Sequence, residues 1–240
     1  MFLCIIYYNM NKTVIYSAIF GTRDTILDPE IIDPNFDYVM FTDNEQFTSN
    51  VWNVRIVSPT YSKDPTRSAR IYKILPHKFL SEYDTSVWID GNHIITGSIK
   101  ELLDKYLSDN NLAVYDHSKM ESFGRNCIYD EARFYMNRKQ IRVNIRTRER
   151  RKLQKQIKRY RSEGYPENNG LIVSSVVLRK HNEPDVIDFC EKWWNEVIGW
   201  SKRDQLSFNY VQWVTGFKFS FIEGDARNNP IFKVVKHNSR

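Results

Sequence analysis

The chain is poor in cysteine: Cys4, Cys127 and Cys190 are the three among its 240 residues. No two form a C-x-x-C pair, and their number is odd. This argues against a disulfide framework and a zinc cluster, and it points to a reducing, cytosol-like compartment. Long hydrophobic runs are also missing, since no stretch approaches the ~20 apolar residues of a membrane span. The opening M-F-L-C-I-I-Y-Y is apolar but short. It lacks the basic start and small-residue cleavage site of a signal peptide, and it reads as a leading strand or tail. There is no G-x-S-x-G and no His-rich metal cluster, the signatures of common hydrolases. Neither a repeat nor a low-complexity linker marks a domain boundary. With 41% hydrophobic residues, the chain is expected to form one domain over 1–240.

Acids are nearly missing from one segment. Residues 138–161 hold 12 Lys/Arg and a single acid, whereas the rest of the chain has 23 basic and 28 acidic residues. The net charge of +6 is therefore local, a basic stretch on a mildly acidic protein. Its few apolar side chains, Ile141, Val143, Ile145, Leu153 and Ile157, are too unevenly spaced for a wide buried face. The expectation is a peripheral insertion over 138–163, helical from about residue 147 to 162 and ending at Gly164-Tyr165-Pro166.

Elsewhere apolar runs alternate with helical periodicity. Strands are predicted at 14–20, 38–41, 52–57, 86–89, 112–115, 171–178 and 217–222. Helices are predicted at 66–80 with a break or kink at Pro76, and at 99–107, 185–200 and 204–214. This alternation indicates an α/β sheet with parallel members.

The stretch V-W-I-D-G-N-H-I-I, residues 87–95, breaks an apolar strand with a carboxylate, a glycine and an amide. In open α/β sheets ligands bind beyond the carboxyl ends of strands. Asp90 and Asn92 offer two oxygens on a bend, enough to grip one face of Mg²⁺ or Mn²⁺, which draws its other ligands from phosphates and water. Gly91 permits a tight turn or a close approach. A β-bulge or turn explains the same tripeptide. Gly21-Thr22 and Asp43-Asn44 also end strands and are candidates for nucleotide contact, with capping turns as the alternative.

Five stretches together resemble a known family: D-Y-V-M-F-T-D-N (37–44), R-I-Y-K-I-L-P-H (70–77), W-I-D-G-N (88–92), C-I-Y-D-E-A (127–132) and R-D-Q-L-S-F (203–208). They are similar to a plant and microbial glycosyltransferase-like family that includes mucilage-related and turgor-defect proteins. It is related to the glycogenin-like A-type-fold glycosyltransferases. The resemblance implies a single-domain A-type fold, Rossmann-like, with a mixed, mostly parallel sheet flanked by helices. It implies transfer of a sugar, with possible retention at the anomeric carbon, from a nucleotide diphosphate sugar, UDP-linked first among them, to a glycan or glycoconjugate.

By the same resemblance Arg70 and Lys73, one helical turn apart, face the donor; Asp204 and Gln205 lie beside the reacting carbon; Asn169 and Gly170 hold sugar hydroxyls; and His237 completes a metal shell begun by Asp90 and Asn92. Asn92 stands where the related enzymes have a second acid. Read without the resemblance, Asp204 is a helix N-cap, His237 a tail residue, and Trp193-Trp194 core. Two other functions remain open. One is a lipid-active hydrolase, following the ceramidase activity attached to the same family. The other is a nucleic-acid-binding module, motivated by 138–161, although no common nucleic-acid motif is present. The expected location is cytoplasmic, with the basic segment able to meet an anionic membrane surface.

Overall fold

The computed structural model describes residues 12–22, 24–137 and 147–236; Cys4, residues 138–146 and His237 lie outside the described residues. Among the described residues the strands are β1 (Thr13–Ile19), β2 (Phe36–Thr42), β3 (Asn53–Ile56), β4 (Thr85–Ile89), β5 (His93–Ile95), β6 (Leu112–Asp116), β7 (Ile172–Arg179), β8 (Ser220–Ile222) and β9 (Phe232–Val234). The helices are α1 (Pro65–Ile74), α2 (Ile99–Tyr106), α3 (Ile128–Asn137), α4 (Thr147–Ser162), α5 (Pro184–Gly199) and α6 (Asp204–Thr215).

Seven strands form one sheet in the order β3-β2-β1-β4-β7-β6-β8. The pairs β3-β2, β2-β1, β1-β4 and β6-β8 are parallel, whereas β7 is antiparallel to both neighbours. Six strands therefore run one way and β7 runs back, the mixed and mostly parallel sheet that the family resemblance implies. The carboxyl ends of β1, β2, β4, β6 and β8 share one edge with the start of β7.

The sheet separates two apolar layers. Val14, Tyr16 and Ala18 face the layer with α1, α5 and α6, and Ile15 and Ile19 face the one with α2. Side-chain alternation along a strand produces this division. Trp193 and Trp194 are buried in the first layer, so the tryptophan pair is core. Cys127 and Cys190 are both buried and free.

Helix α1 begins where Asp64 accepts the Arg67 N–H and Pro65 takes the first helical position. It stops before Pro76, which opens a single 3₁₀ turn, so the proline is a break and not a kink. The last predicted strand shrinks to Ser220–Ile222. Helix α4 matches its expected span and buries Leu153, Gln156 and Tyr160, a stripe at i, i+3 and i+7. The apolar count foresaw a narrow face but missed Tyr160, whose ring stacks on Tyr210 with centroids 3.7 Å apart. Among the described residues no helix is long and apolar enough to cross a membrane.

Candidate active site

Asp90 follows the last residue of β4, and its backbone N–H donates to Ser175 O of β7 at 2.8 Å. Its carboxylate oxygen Oδ1 accepts from Trp88 Nε1 at 2.8 Å and lies 3.4 Å from Lys73 Nζ. The side chain remains 40% exposed.

Lys73 links that strand end to a second carboxylate. Its Nζ is 2.8 Å from Asp204 Oδ2 and 3.0 Å from Ser174 Oγ, which in turn donates to Asp204 Oδ2 at 2.9 Å. Arg70, one turn earlier on α1, brings Nε to 3.0 Å from Asp204 Oδ1. That approach lacks hydrogen-bond alignment, and Arg70 Nη1 is buried without a partner among the described residues. Arg70 thus holds N–H donors that the protein does not satisfy.

Burial by itself would raise the Asp204 pKa. The charges of Arg70 and Lys73, with Arg203 adding to them, overcome that and hold the carboxyl far below the usual carboxylate range. Asp204 is consequently an anion at any physiological pH.

The bend in the apolar strand now has a physical account. A Cβ at Gly91 would stand 2.8 Å from Ile19 Cγ1, so packing of the bend on β1 requires the glycine. After it the chain returns as β5, which pairs antiparallel with β9. Asn92 fastens this ribbon: its Nδ2 donates to Val235 O at 2.9 Å, and its carbonyl accepts the Val235 N–H at 2.8 Å.

The donor set for a cation is small. Among the described residues no group of three His, Cys, Asp or Glu side chains converges. The contacts on Asp90 use Oδ1, and Asn92 Oδ1 lies 3.1 Å from His93 Nδ1 with a second lone pair to offer. Two protein oxygens suit Mg²⁺ or Mn²⁺ completed by phosphate and water, not an ion held by protein alone.

Other expected site residues are placed as follows. Asp43 Oδ1 accepts the Gly21 N–H at 2.9 Å, tying the ends of β1 and β2, and Gly21 adopts φ +76°. Asn44 accepts from Gln46 N in a local turn, and Thr22 is exposed beside Gly21. Gln205 donates Nε2 to Ile172 O at 2.8 Å, and Asn209 Oδ1 accepts the Ile172 N–H at 3.1 Å. Gln205 thus anchors the start of β7. Gly170, at φ +89°, closes the turn before it, where a Cβ would stand 3.0 Å from Asn209 Nδ2; Asn169 O accepts from Tyr165 OH. The N-cap reading of Asp204 is corrected: Arg203 holds that position without a side-chain cap bond, and Asp204 is the first helical residue with its carboxylate turned to Lys73.

Sequence reasoning missed Trp88 and Ser174. The signal for Ser174 is the Ser-Ser pair inside L-I-V-S-S-V-V-L, where the β6–β7 register shifts between Val114 and Tyr115. Such irregularities re-aim side chains beside sites. It also missed Arg179, fully buried at the end of β7, which donates to Lys73 O and Tyr16 OH and so holds the end of α1 from behind.

The sequence pattern of the TOD1/MUCI70 glycosyltransferase-like domain matches residues 5–237. The chain belongs to that family. A relative from Arabidopsis thaliana, named "Probable hexosyltransferase MUCI70", is 22% identical over 232 residues, with 83% of this chain and 37% of that protein covered. This TOD1/MUCI70 domain therefore spans well under half the length of that relative. Among solved structures, the apo form of the bifunctional glycosyltransferase WbbM is similar to it at 11% identity and TM-score 0.45, with 91% of this chain and 39% of that one covered.

Proposed function

We propose that this TOD1/MUCI70 domain is a nucleotide-sugar-dependent glycosyltransferase that delivers a hexosyl group from a UDP-sugar to a glycan or glycoconjugate. The observation that carries the reading is Lys73, whose ammonium sits between Asp90 at a strand end and Asp204 at a helix start. Cations beside a solvent-reaching carboxylate suit a diphosphate, and a buried anion next to them suits developing positive charge on a sugar.

In this reading the diphosphate lies at the end of β4 against Arg70 and Lys73, with the nucleoside toward Gly21, Thr22, Asp43 and Asn44. Asp90 and Asn92 would hold a Mg²⁺ or Mn²⁺, His237 adding to them, and the ion would neutralise the leaving diphosphate. Asp204 faces the anomeric carbon. Because its carboxyl is held so acidic, it stabilises an oxocarbenium-like transition state and orients sugar hydroxyls, and it is a poor general base. Gln205 supports it by fixing the first turn of α6, and Asn169-Gly170 borders the sugar. Retention of anomeric configuration is part of the proposal, from the likeness of Asp204-Gln205 to the Asp-Gln of retaining enzymes. The test is UDP release from a panel of UDP-hexoses with Mn²⁺, with and without glycan acceptors. Release above background from one donor supports the proposal, and none from any donor counts against it.

The reading extends to an anionic membrane surface that presents the acceptor. Arg148, Arg150, Arg151, Lys155, Lys158 and Arg161 are exposed on α4. Glu149 ties this helix to Arg67 and to the Lys202 backbone, two residues before Asp204. Each cation near an anionic bilayer adds roughly 1 kcal/mol and fades within a Debye length. Binding to phosphatidylserine vesicles is expected to weaken steeply with salt. It should also weaken when Arg148, Arg150, Arg151 and Lys155 become Gln, with donor hydrolysis unchanged. Binding to acidic glycans but not to vesicles would reassign the surface, and a collapse of donor hydrolysis would move the helix into the donor site.

A further inference from the structure

Two sequence stretches singled out by the family resemblance meet inside the protein. Glu131 of C-I-Y-D-E-A lies on α3 and is fully buried, and Arg203 of R-D-Q-L-S-F immediately precedes Asp204. Arg203 donates to Glu131 Oε1 from Nε at 3.1 Å and from Nη2 at 2.7 Å. Arg125 donates to Oε2 from Nε at 3.0 Å and from Nη2 at 2.6 Å. Each oxygen of one buried carboxylate is therefore occupied by a separate guanidinium. Aromatic rings close the site: Arg125 lies 4.2 Å from the Phe134 centroid and Arg203 5.4 Å from that of Tyr135. His117 Nδ1 accepts the Arg125 backbone N–H at 3.2 Å, and burial lowers its pKa, so it is neutral at pH 7. The cluster of two arginines and one glutamate carries one surplus positive charge beside Asp204.

Asp204 already has Lys73 and Arg70 on its two oxygens. Arg203, the adjacent residue, is the natural competitor for the same carboxylate, because attraction between close charges is strong in a weakly polar interior. We infer that Glu131 is a positioning residue: it holds the Arg203 guanidinium away from Asp204 and so leaves that carboxylate to Lys73, Arg70 and the substrate. The inference rests on the reading of Asp204 as the reaction-centre anion. It explains why α3, which contributes no group to the Lys73 cluster, carries a buried acid on its inner face.

The test compares Glu131→Gln with two double variants. In Glu131→Gln, Arg203 loses its counter-charge. A crystal structure should show its guanidinium within hydrogen-bond distance of Asp204, and turnover should fall about 10-fold or more. Glu131→Gln/Arg203→Gln and Glu131→Gln/Arg125→Gln each remove one further cation and restore the same buried charge. A packing role predicts that both doubles recover alike. The positioning role predicts recovery of turnover only when Arg203 is removed, and a structure of the Arg125 double with Arg203 still moved onto Asp204. Equal recovery in both doubles, recovery in neither, or an Arg203 that stays away from Asp204 overturns the inference. Should the single variant not fold, the doubles carry the same comparison. If Asp204→Asn proves fully active, the reading of Asp204 fails instead, and that result is separate.

Discussion

Asp204→Asn is expected to lower turnover by two orders of magnitude or more while changing donor affinity little, because the carboxylate acts mainly as charge develops in the transition state. The variant should also be less stable. Asp204 is the counter-ion of two cations, Arg70 and Lys73, of which Lys73 is buried, and removing one partner of a buried pair costs about 3–5 kcal/mol. The pH dependence has a definite sign. The folded-state pKa of Asp204 lies below its ordinary value of 3.8, so its stabilisation is complete above that value and is lost as pH falls toward the folded-state pKa. The Tm gap between wild type and variant should be flat from about pH 6 to 8 and should narrow below about pH 4. A gap that widened in acid would contradict the ion-pair account. Normal specific activity with lowered Tm would leave Asp204 a structural residue only.

Asp90→Ala should have the opposite profile, abolishing turnover with the fold intact. Its side chain sits at a strand end, 40% exposed, and its loss removes one carboxylate contact from Lys73 while Asp204 and Ser174 still hold that ammonium. Thermal melts should match wild type within a few degrees, while Mn²⁺-dependent UDP release falls to background. Asn92→Asp should lower the Mn²⁺ concentration for half-maximal rate, since a second carboxylate adds charge to the cation site, and should lower Tm, since Asp cannot donate to Val235 O as Asn92 Nδ2 does. Unchanged turnover in Asp90→Ala would remove Asp90 from the mechanism.

Much of the architecture was legible because short apolar runs rich in β-branched residues and bounded by turn residues favour buried strands, as at Val14 to Phe20 and Leu171 to Leu178. The helical spacing of 99–107 and 185–200 was equally clear. The short elements were not legible. Strands β5 and β9 have three residues each and exist through pairing of His93–Ile95 with Phe232–Val234, partners about 140 residues apart that no local pattern announces. Helix α3 was hidden where C-I-Y-D-E-A runs into the basic segment, and with it went Glu131.

Four residues that the sequence singled out come together: Arg70 and Lys73 from the second half of α1, Asp90 from the end of β4 and Asp204 from the start of α6. The reason they do was not legible, because it depends on Ser174 and Arg179 of β7, which hold the side chain and the backbone carbonyl of Lys73. Asn92 and Gln205 have contacts that sequence could not foresee, on Val235 and Ile172, so both do structural work in addition to any chemistry.

The central claim is that the Lys73–Asp90–Asp204 cluster receives a nucleotide diphosphate sugar. Titration calorimetry of the wild-type domain with UDP and a panel of UDP-hexoses, each with and without Mn²⁺, tests it most directly. The account predicts saturable 1:1 binding of UDP and of one UDP-hexose, strengthened at least about 10-fold by Mn²⁺. Absence of binding by every nucleotide, with and without the metal, would contradict it.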